Sequence, residues 1–265
     1  MSVPPLTWLY VPADRPDRVE KAIASRAHAV IVDLEDGVAP GDKEQARANL
    51  FDLLGRRRDK PVYVRINAGS AADLEAVAQL DLAGVVVPKL ERPDDVPAEL
   101  RVHALIESAL GLEAAFQIAS HPQVHGLSLG EADLRSQTGA LEVGLDWARG
   151  RLVNAAVAAG LPRPPQSVYP HVRDLEGLAR SCRRGRALGH FGRAAIHPDQ
   201  LPVIEEAYLP TRAEVELARA TIERLEAAAV GTLADGVFVD AAMLGAAQQV
   251  VELAARYGTA GSLNK

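Results

Sequence analysis

Short, wholly apolar runs rich in β-branched residues recur along this chain. Each is a strand's length, and most are followed by a segment with helical spacing. The clearest is His28–Asp33 (HAVIVD), which has none of the alternating polar residues that a strand with one face in water needs. Pro61–Ile66 (PVYVRI), which ends in Arg65 and Ile66, and the short runs Gly84–Val87, Val102–Ile106 and Gly126–Leu129 read as further strands. Strands buried on both faces belong to parallel sheets covered by helices, so the pattern selects the α/β class.

The intervening segments agree. Residues 16–27 begin with proline and place Val19 and Ile23 on one face. Asp42–Leu54 carries Ala46, Leu50, Leu53 and Leu54 at helical spacing, and Ala71–Leu80 forms a shorter helix. The run after Ile106 puts Leu110, Ala114 and Ile118 on one stripe. Residues 142–160 follow, with Leu141, Leu145, Leu152 and Val153 as the apolar face, until Pro162, Pro164 and Pro165 end the pattern. With Leu6–Val11 as the first strand, Gln166–Tyr169 as a seventh and Phe191–Ile196 as an eighth, the alternation counts eight. Helices over 174–188 and 198–208 complete it. Eight such units predict a closed (β/α)8 TIM barrel over residues 1–208. The glycine fingerprint of a dinucleotide site is absent after the first strand. Residues 209–265 form a C-terminal helical extension: a helix over Thr211–Val230 with Thr211 and Glu214 in capping-box spacing, a link Gly231–Asp240, and a helix over 241–257.

The 265 residues suit one such barrel. A net charge of −6 and scattered arginines argue against nucleic acid as a partner. No apolar run approaches the ~20 residues of a membrane span, and the N-terminus lacks the layout of a secretory signal. The single cysteine, Cys182, excludes an internal disulfide framework and, lying in a helix beside two arginines, reads as structural. A cytoplasmic location is expected.

In a parallel α/β fold the carboxyl ends of the strands form one ligand-binding rim. Here they carry Asp33, Glu35 and Asp36, then Arg65, Glu107, and Glu131 with Asp133. Acids gathered on one rim repel unless a cation lies among them, and all-oxygen donors suit Mg2+. Glu107 and Asp133 are the expected metal pair. Each has a plainer alternative as a helix cap or first-turn acid, and for the Asp33 group that alternative is the stronger. Arg65 brings a planar fork matched to a carboxylate, so metal and arginine together would grip an α-keto or α-hydroxy acid. His197 has two open roles, packing against Pro198 or touching a ligand. Lys89 either contacts ligand or pairs with the acids. His28, His103, His121 and His125 lie at strand beginnings and are assigned no chemistry.

The motifs LYVPADRPDRVEKA, VIVDLEDGVAPGDKEQAR, VYVRINA, VVVPKLE, ALIESALGL, LSLGEADL, AIHPDQLPVIEEAY and DGVFVDAAML, taken in order, resemble the citrate lyase β-subunit-like acyl-CoA lyases. These belong to the broader group of magnesium-dependent aldolases and malyl-CoA lyases. The resemblance covers nearly the whole chain. It implies a (β/α)8 barrel with a helical extension, usually a homotrimer. It implies Mg2+ on Glu107 and Asp133, and a substrate carboxylate on Arg65. Asp240 would reach a neighbouring subunit's site as acid/base, and Tyr10, Arg18 and Lys21 would lie around coenzyme A. The implied reaction cleaves a 3-hydroxyacyl-CoA such as citramalyl-, malyl- or citryl-CoA into acyl-CoA and a keto acid, or runs in reverse. Ala13 stands where glycine is common, and Arg193 where lysine is common before IHP. Rival readings are an aldolase on free hydroxy-keto acids, a lyase subunit served by an acyl-carrier protein, and a non-catalytic barrel scaffold.

Overall fold

The structure is a computed structural model that describes residues 4–56, 58–228, 230–233 and 236–261. It divides into two compact units, Pro5–Ile204 and a second made of Met1–Pro4 with Glu205–Lys265.

In the first unit the chain runs β1 (Thr7–Pro12), α1 (Pro16–Ala24), β2 (Ala29–Asp33), α2 (Lys43–Leu54), β3 (Val62–Arg65), α3 (Ala71–Val77), β4 (Gly84–Val87) and β5 (Val102–Ile106). It continues through α4 (Ala109–Glu113), α5 (Ala115–Ala119), β6 (Val124–Leu129), α6 (Glu131–Thr138), α7 (Leu145–Ala158), α8 (Leu175–Ala187) and β7 (Arg193–Ala195). Helix α9 (Gln200–Tyr208) follows. The second unit holds α10 (Arg212–Ala227), the antiparallel pair β8 (Val230–Thr232) and β9 (Phe238–Asp240), and α11 (Ala241–Tyr257).

Strands β1 to β7 form one parallel sheet in the order β6-β5-β4-β3-β2-β1-β7. Every residue of β2, β4 and β5 is buried, as their unbroken apolar runs predict. The sheet curls. Trp8, Ile31, Val86 and Leu105 share one apolar cluster with Ala194, although β5 and β7 lie near opposite ends of the strand order.

The expected eight-stranded ladder is seven strands among the described residues. The seventh expected strand, Gln166–Tyr169, is reduced to an isolated bridge between Gln166 and Arg193. Pro164 and Pro165 precede it and Pro170 follows it, so a ladder cannot draw on N–H donors at either flank of these four residues. Beyond the two backbone bonds of that bridge, Gln166 N–H to Gly192 O and Ala194 N–H to Gln166 O, side chains hold it. Ser167 Oγ donates to the Leu129 carbonyl at the end of β6, and Gln166 Nε2 donates to Ser181 O at 3.2 Å. Gly185 of α8 lets that helix lie against Gln166, since a Cβ there would collide with the Gln166 amide.

Helical details differ in the same local way. The run after Ile106 breaks at Ala114 into α4 and α5, and Leu110 is exposed while Leu112 and Ile118 are buried. The helix expected over 142–160 begins as a 3-10 turn, Glu142–Gly144, and Leu141 points outward. No helix of the described residues is long and apolar enough to cross a membrane.

Candidate active site

The rim is organised from Asp33 at the end of β2. Its Oδ1 accepts from the Glu35 N–H and its Oδ2 from the Gly37 N–H, both at 2.9 Å, which shapes the LEDG turn. The same carboxylate takes the Arg65 fork in bidentate fashion, Nε–Oδ1 at 2.7 Å and Nη2–Oδ2 at 2.6 Å. Arg65 Nη1 lies 2.8 Å from Glu35 Oε2. Two of the guanidinium's N–H bonds are thus spent on Asp33, while Nη1 keeps only ion-pair distances to Glu35 and, at 4.0 Å, to Asp36 Oδ2. The group also lies over the Tyr10 ring, 5.1 Å from its centroid. Burial pushes the Tyr10 phenol up, so it stays protonated.

Lys89, after β4, pairs with the acids: Nζ donates to Glu35 Oε1 at 2.9 Å, and its backbone N–H donates to Glu107 Oε1 at 2.9 Å. It is the only non-glycine residue with positive φ (57°) among the described residues. A bulky residue held in that left-handed region is a strained feature of the kind found at functional sites.

Glu107 is almost fully buried at the end of β5. The cap of α4 comes from its neighbour: Ser108 Oγ accepts from the Gly111 N–H at 3.0 Å, which frees Glu107 from that role. The other side of the Glu107 carboxylate lies against Gly130, where a Cβ would collide with Oε2. Asp133 is exposed in the first turn of α6 and has no hydrogen bond or ion pair among the described residues. Burial first, and then the nearby charges of Glu35 and Asp133, raise the Glu107 pKa to about 7, with Lys89 opposing.

These groups line one cavity of about 960 Å³ that descends from Asp33, Arg65, Glu107 and Asp133 to His103 and Ser128. His103 lies at a strand beginning, as expected, yet its ring lines this cavity. It is the second residue of β5, but its side chain points inward, with Nε2 2.7 Å from Ser128 Oγ and its ring 5.1 Å from that of Trp8. Burial lowers its pKa to about 4, so it is neutral near pH 7.

The other candidates lie elsewhere. Arg18 and Lys21 are on the exposed face of α1, with Lys21 3.3 Å from Asp17. His197 Nδ1 accepts from the Asp199 N–H at 3.2 Å, a local turn contact. Cys182 is buried, and burial raises its thiol. Asp240 belongs to the second unit, where its Oδ1 accepts from the Ala242 N–H at 3.0 Å and caps α11.

The donor set fits a hard divalent cation. Two carboxylates, Glu107 and Asp133, line one cavity and influence each other electrostatically, and the buried one is destabilised as an anion. No group of three or more His, Cys, Asp or Glu side chains with metal-holding geometry occurs among the described residues. A cation at Glu107 and Asp133 would therefore take its remaining ligands from water and substrate, as Mg2+ does.

The HpcH/HpaI aldolase/citrate lyase family pattern matches residues 6–100 and 96–198. The chain belongs to this family. Among HpcH/HpaI relatives, a (3S)-malyl-CoA thioesterase of Cereibacter sphaeroides is 35% identical over 83% of this chain and 82% of its own. An L-malyl-CoA/β-methylmalyl-CoA lyase of the same species is 30% identical over 93% of each. Among solved structures, CitE from Mycobacterium tuberculosis in complex with magnesium, acetoacetate and coenzyme A superposes with a TM-score of 0.83 at 33% identity. It covers 94% of this chain and 98% of its own.

The electrostatics of Glu107 give this family member a testable stability profile. In metal-free protein the Glu107 pKa stands at about 7 against 4.5 in the unfolded chain. Below pH 4.5 both states are protonated and nothing is lost. As pH rises through 7 the folded state must ionise a buried acid, which costs about 3 kcal/mol in full. Glu107→Gln removes that cost. In EDTA the variant is expected to melt several degrees above wild type at pH 8 and level with it at pH 4.5. Equal melting temperatures at pH 8 would show that Glu107 is not held in a destabilised state.

Proposed function

We propose that this protein is a magnesium-dependent lyase that cleaves the carbon–carbon bond of a 3-hydroxyacyl-CoA thioester, of the citramalyl, malyl or citryl type. The products are an acyl-CoA and a keto acid, and the reverse addition uses the same groups. The observation that carries the reading is Glu107: a buried carboxylate released from helix capping, made costly as an anion by burial and by the nearby charge of Asp133, on the same cavity as Arg65. Family membership supports it, as does the CitE complex with magnesium, acetoacetate and coenzyme A.

Glu107 and Asp133 would hold Mg2+, which when bound supplies Lewis-acid stabilisation of the substrate's developing oxyanion. Arg65 takes the substrate carboxylate on guanidinium N–H bonds that Asp33 leaves unused. Its fork is immobilised by Asp33 and Glu35, so it aligns the scissile bond instead of following the ligand. Lys89 holds Glu35 and, through its backbone, Glu107. Trp8, Ile31 and Leu105 line the inner cavity with apolar surface and exclude water. Asp240, contributed by a neighbouring subunit of a homotrimer, moves the proton at the thioester α-carbon. Tyr10, Arg18 and Lys21 serve the coenzyme A side. The curled sheet acts as a (β/α)8 barrel with residues 166–169 as its seventh stave.

The thioesterase relative favours a second reading, hydrolysis of the same thioesters. One experiment separates the two. Malyl-, citramalyl- and citryl-CoA are each incubated with the protein with and without Mg2+, and keto acid and free thiol are followed together. A lyase releases keto acid with no free thiol, whereas hydrolysis yields thiol and a hydroxy acid with no keto acid. Thiol alone would transfer the assignment to a thioesterase, and neither product would overturn both.

Asp240→Asn tests the proton carrier cleanly, because asparagine caps a helix about as well as aspartate. Turnover is expected to fall tenfold or more with Mg2+ affinity and melting temperature unchanged. Unchanged turnover would leave Asp240 as a cap only.

A further inference from the structure

Helix α6 carries Asp133 yet has little apolar anchorage. Of its eight residues only Leu134 is buried, and no side chain caps its N-terminus. Polar ties set its position. The Gly130 N–H donates to the Ile106 carbonyl at 2.7 Å, and Gln137 Oε1 accepts from the Ala109 N–H at 2.7 Å. The strongest tie comes from α7. Arg149 grips Glu131, the first residue of α6, with two bonds, Nε–Oε1 at 2.8 Å and Nη2–Oε2 at 2.6 Å.

The guanidinium that does this is itself fixed. The Arg149 side chain is 3% exposed, and it also bonds Glu142 at 2.7 Å and Asp146 at 3.0 Å. Asp146 in turn pairs with Arg184 of α8. A buried, bidentate, charge-assisted pair is among the most direction-specific contacts a protein makes. Glu131 and Asp133 share the first turn of α6, so displacing one moves the other. Glu107 lies against Gly130, the residue before Glu131. The Arg149–Glu131 clamp therefore registers the turn bearing Asp133 against Glu107.

We infer that Arg149 is a positioning residue for the cation site: its grip on Glu131 sets the Glu107–Asp133 geometry and with it the affinity for Mg2+. The inference rests on the function proposed above. Mg2+ requires near-ideal octahedral geometry with short metal–oxygen bonds, so a small shift of one carboxylate weakens binding. Lysine at 149 keeps the charge but contacts only one Glu131 oxygen at a time.

The test is calorimetric titration of full-length protein with Mg2+ alone, together with melting curves. Variants are Arg149→Met, Arg149→Lys, Glu131→Gln and, as a control, Glu142→Gln, which removes an Arg149 contact without touching α6. Arg149→Met and Glu131→Gln are expected to bind Mg2+ at least tenfold more weakly than wild type while remaining folded. Arg149→Lys should fall between them and wild type, and Glu142→Gln should stay within twofold. If Arg149→Met does not fold, Glu131→Gln, which keeps the shape and one neutral acceptor, decides alone. Folded Glu131→Gln with wild-type affinity would overturn the clamp and leave the proposed function standing. Wild-type protein that binds no Mg2+ would overturn both.

Discussion

Glu107→Gln, assayed at wild-type saturating Mg2+, is expected to lose at least about a thousandfold in kcat/KM, or about 4 kcal/mol of transition-state stabilisation. Glutamine keeps the shape and the bond from the Lys89 N–H but not the charge. In the metal-free protein that charge is a liability, held up by burial and by repulsion from Glu35 and Asp133. On the proposed function, a bound cation would neutralise it. The same substitution should therefore raise stability in EDTA and abolish the response of turnover to Mg2+. Asp133→Asn should act in the same direction, and the double variant should be little worse than either, because two ligands of one ion are not additive. A Mg2+ titration of steady-state rates is the measurement. Wild-type turnover and wild-type Mg2+ dependence in Glu107→Gln would remove the metal from the mechanism.

Arg65→Lys is expected to raise the KM for the keto acid about a hundredfold and to lower stability as well. The arginine is a bidentate partner of Asp33 and lies beside Glu35, with only 13% of its side chain exposed. Lysine cannot span both acids and present two parallel donors to a ligand. Asp33 would keep its two backbone donors but lose the fork, and part of a buried ion pair would be left open, at a cost on the order of 3 kcal/mol. A keto-acid titration alongside thermal melts separates the two effects. A variant with normal KM and reduced melting temperature would make Arg65 a structural clamp for the LEDG turn and nothing more.

Glu107, Arg65 and Asp133 are all legible as candidates because each ends or closely follows an apolar run, and in a parallel sheet such positions share one rim. What each carboxylate does there was not legible. Glu107 next to Ser108 suited a capping role equally well, and only the Ser108–Gly111 bond shows that the cap is taken. Lys89 had two open roles until its ammonium was found on Glu35, 54 positions away. In the sequence Arg149 is one more mid-helix arginine, and His103 reads as peripheral because its inward direction depends on the register of β5 with β6. The seventh stave failed as a strand for a reason visible in its prolines, but the side-chain bonds that replace its ladder come from β6 and α8.

By itself, then, the sequence determined most of the strand and helix alternation up to residue 208, the parallel class and the set of polar residues at the rim. Those follow from local periodicity and from where apolar runs stop. Only the tertiary structure decided which acids are spent on arginine, lysine or backbone donors and which stay free to bind. That outcome depends on partners 18 to 54 residues apart, on burial, and on close approaches such as Gly130 against Glu107. Free energies of charge pairing are set by distance and solvent exclusion, and neither is a property of a residue and its neighbours in the chain.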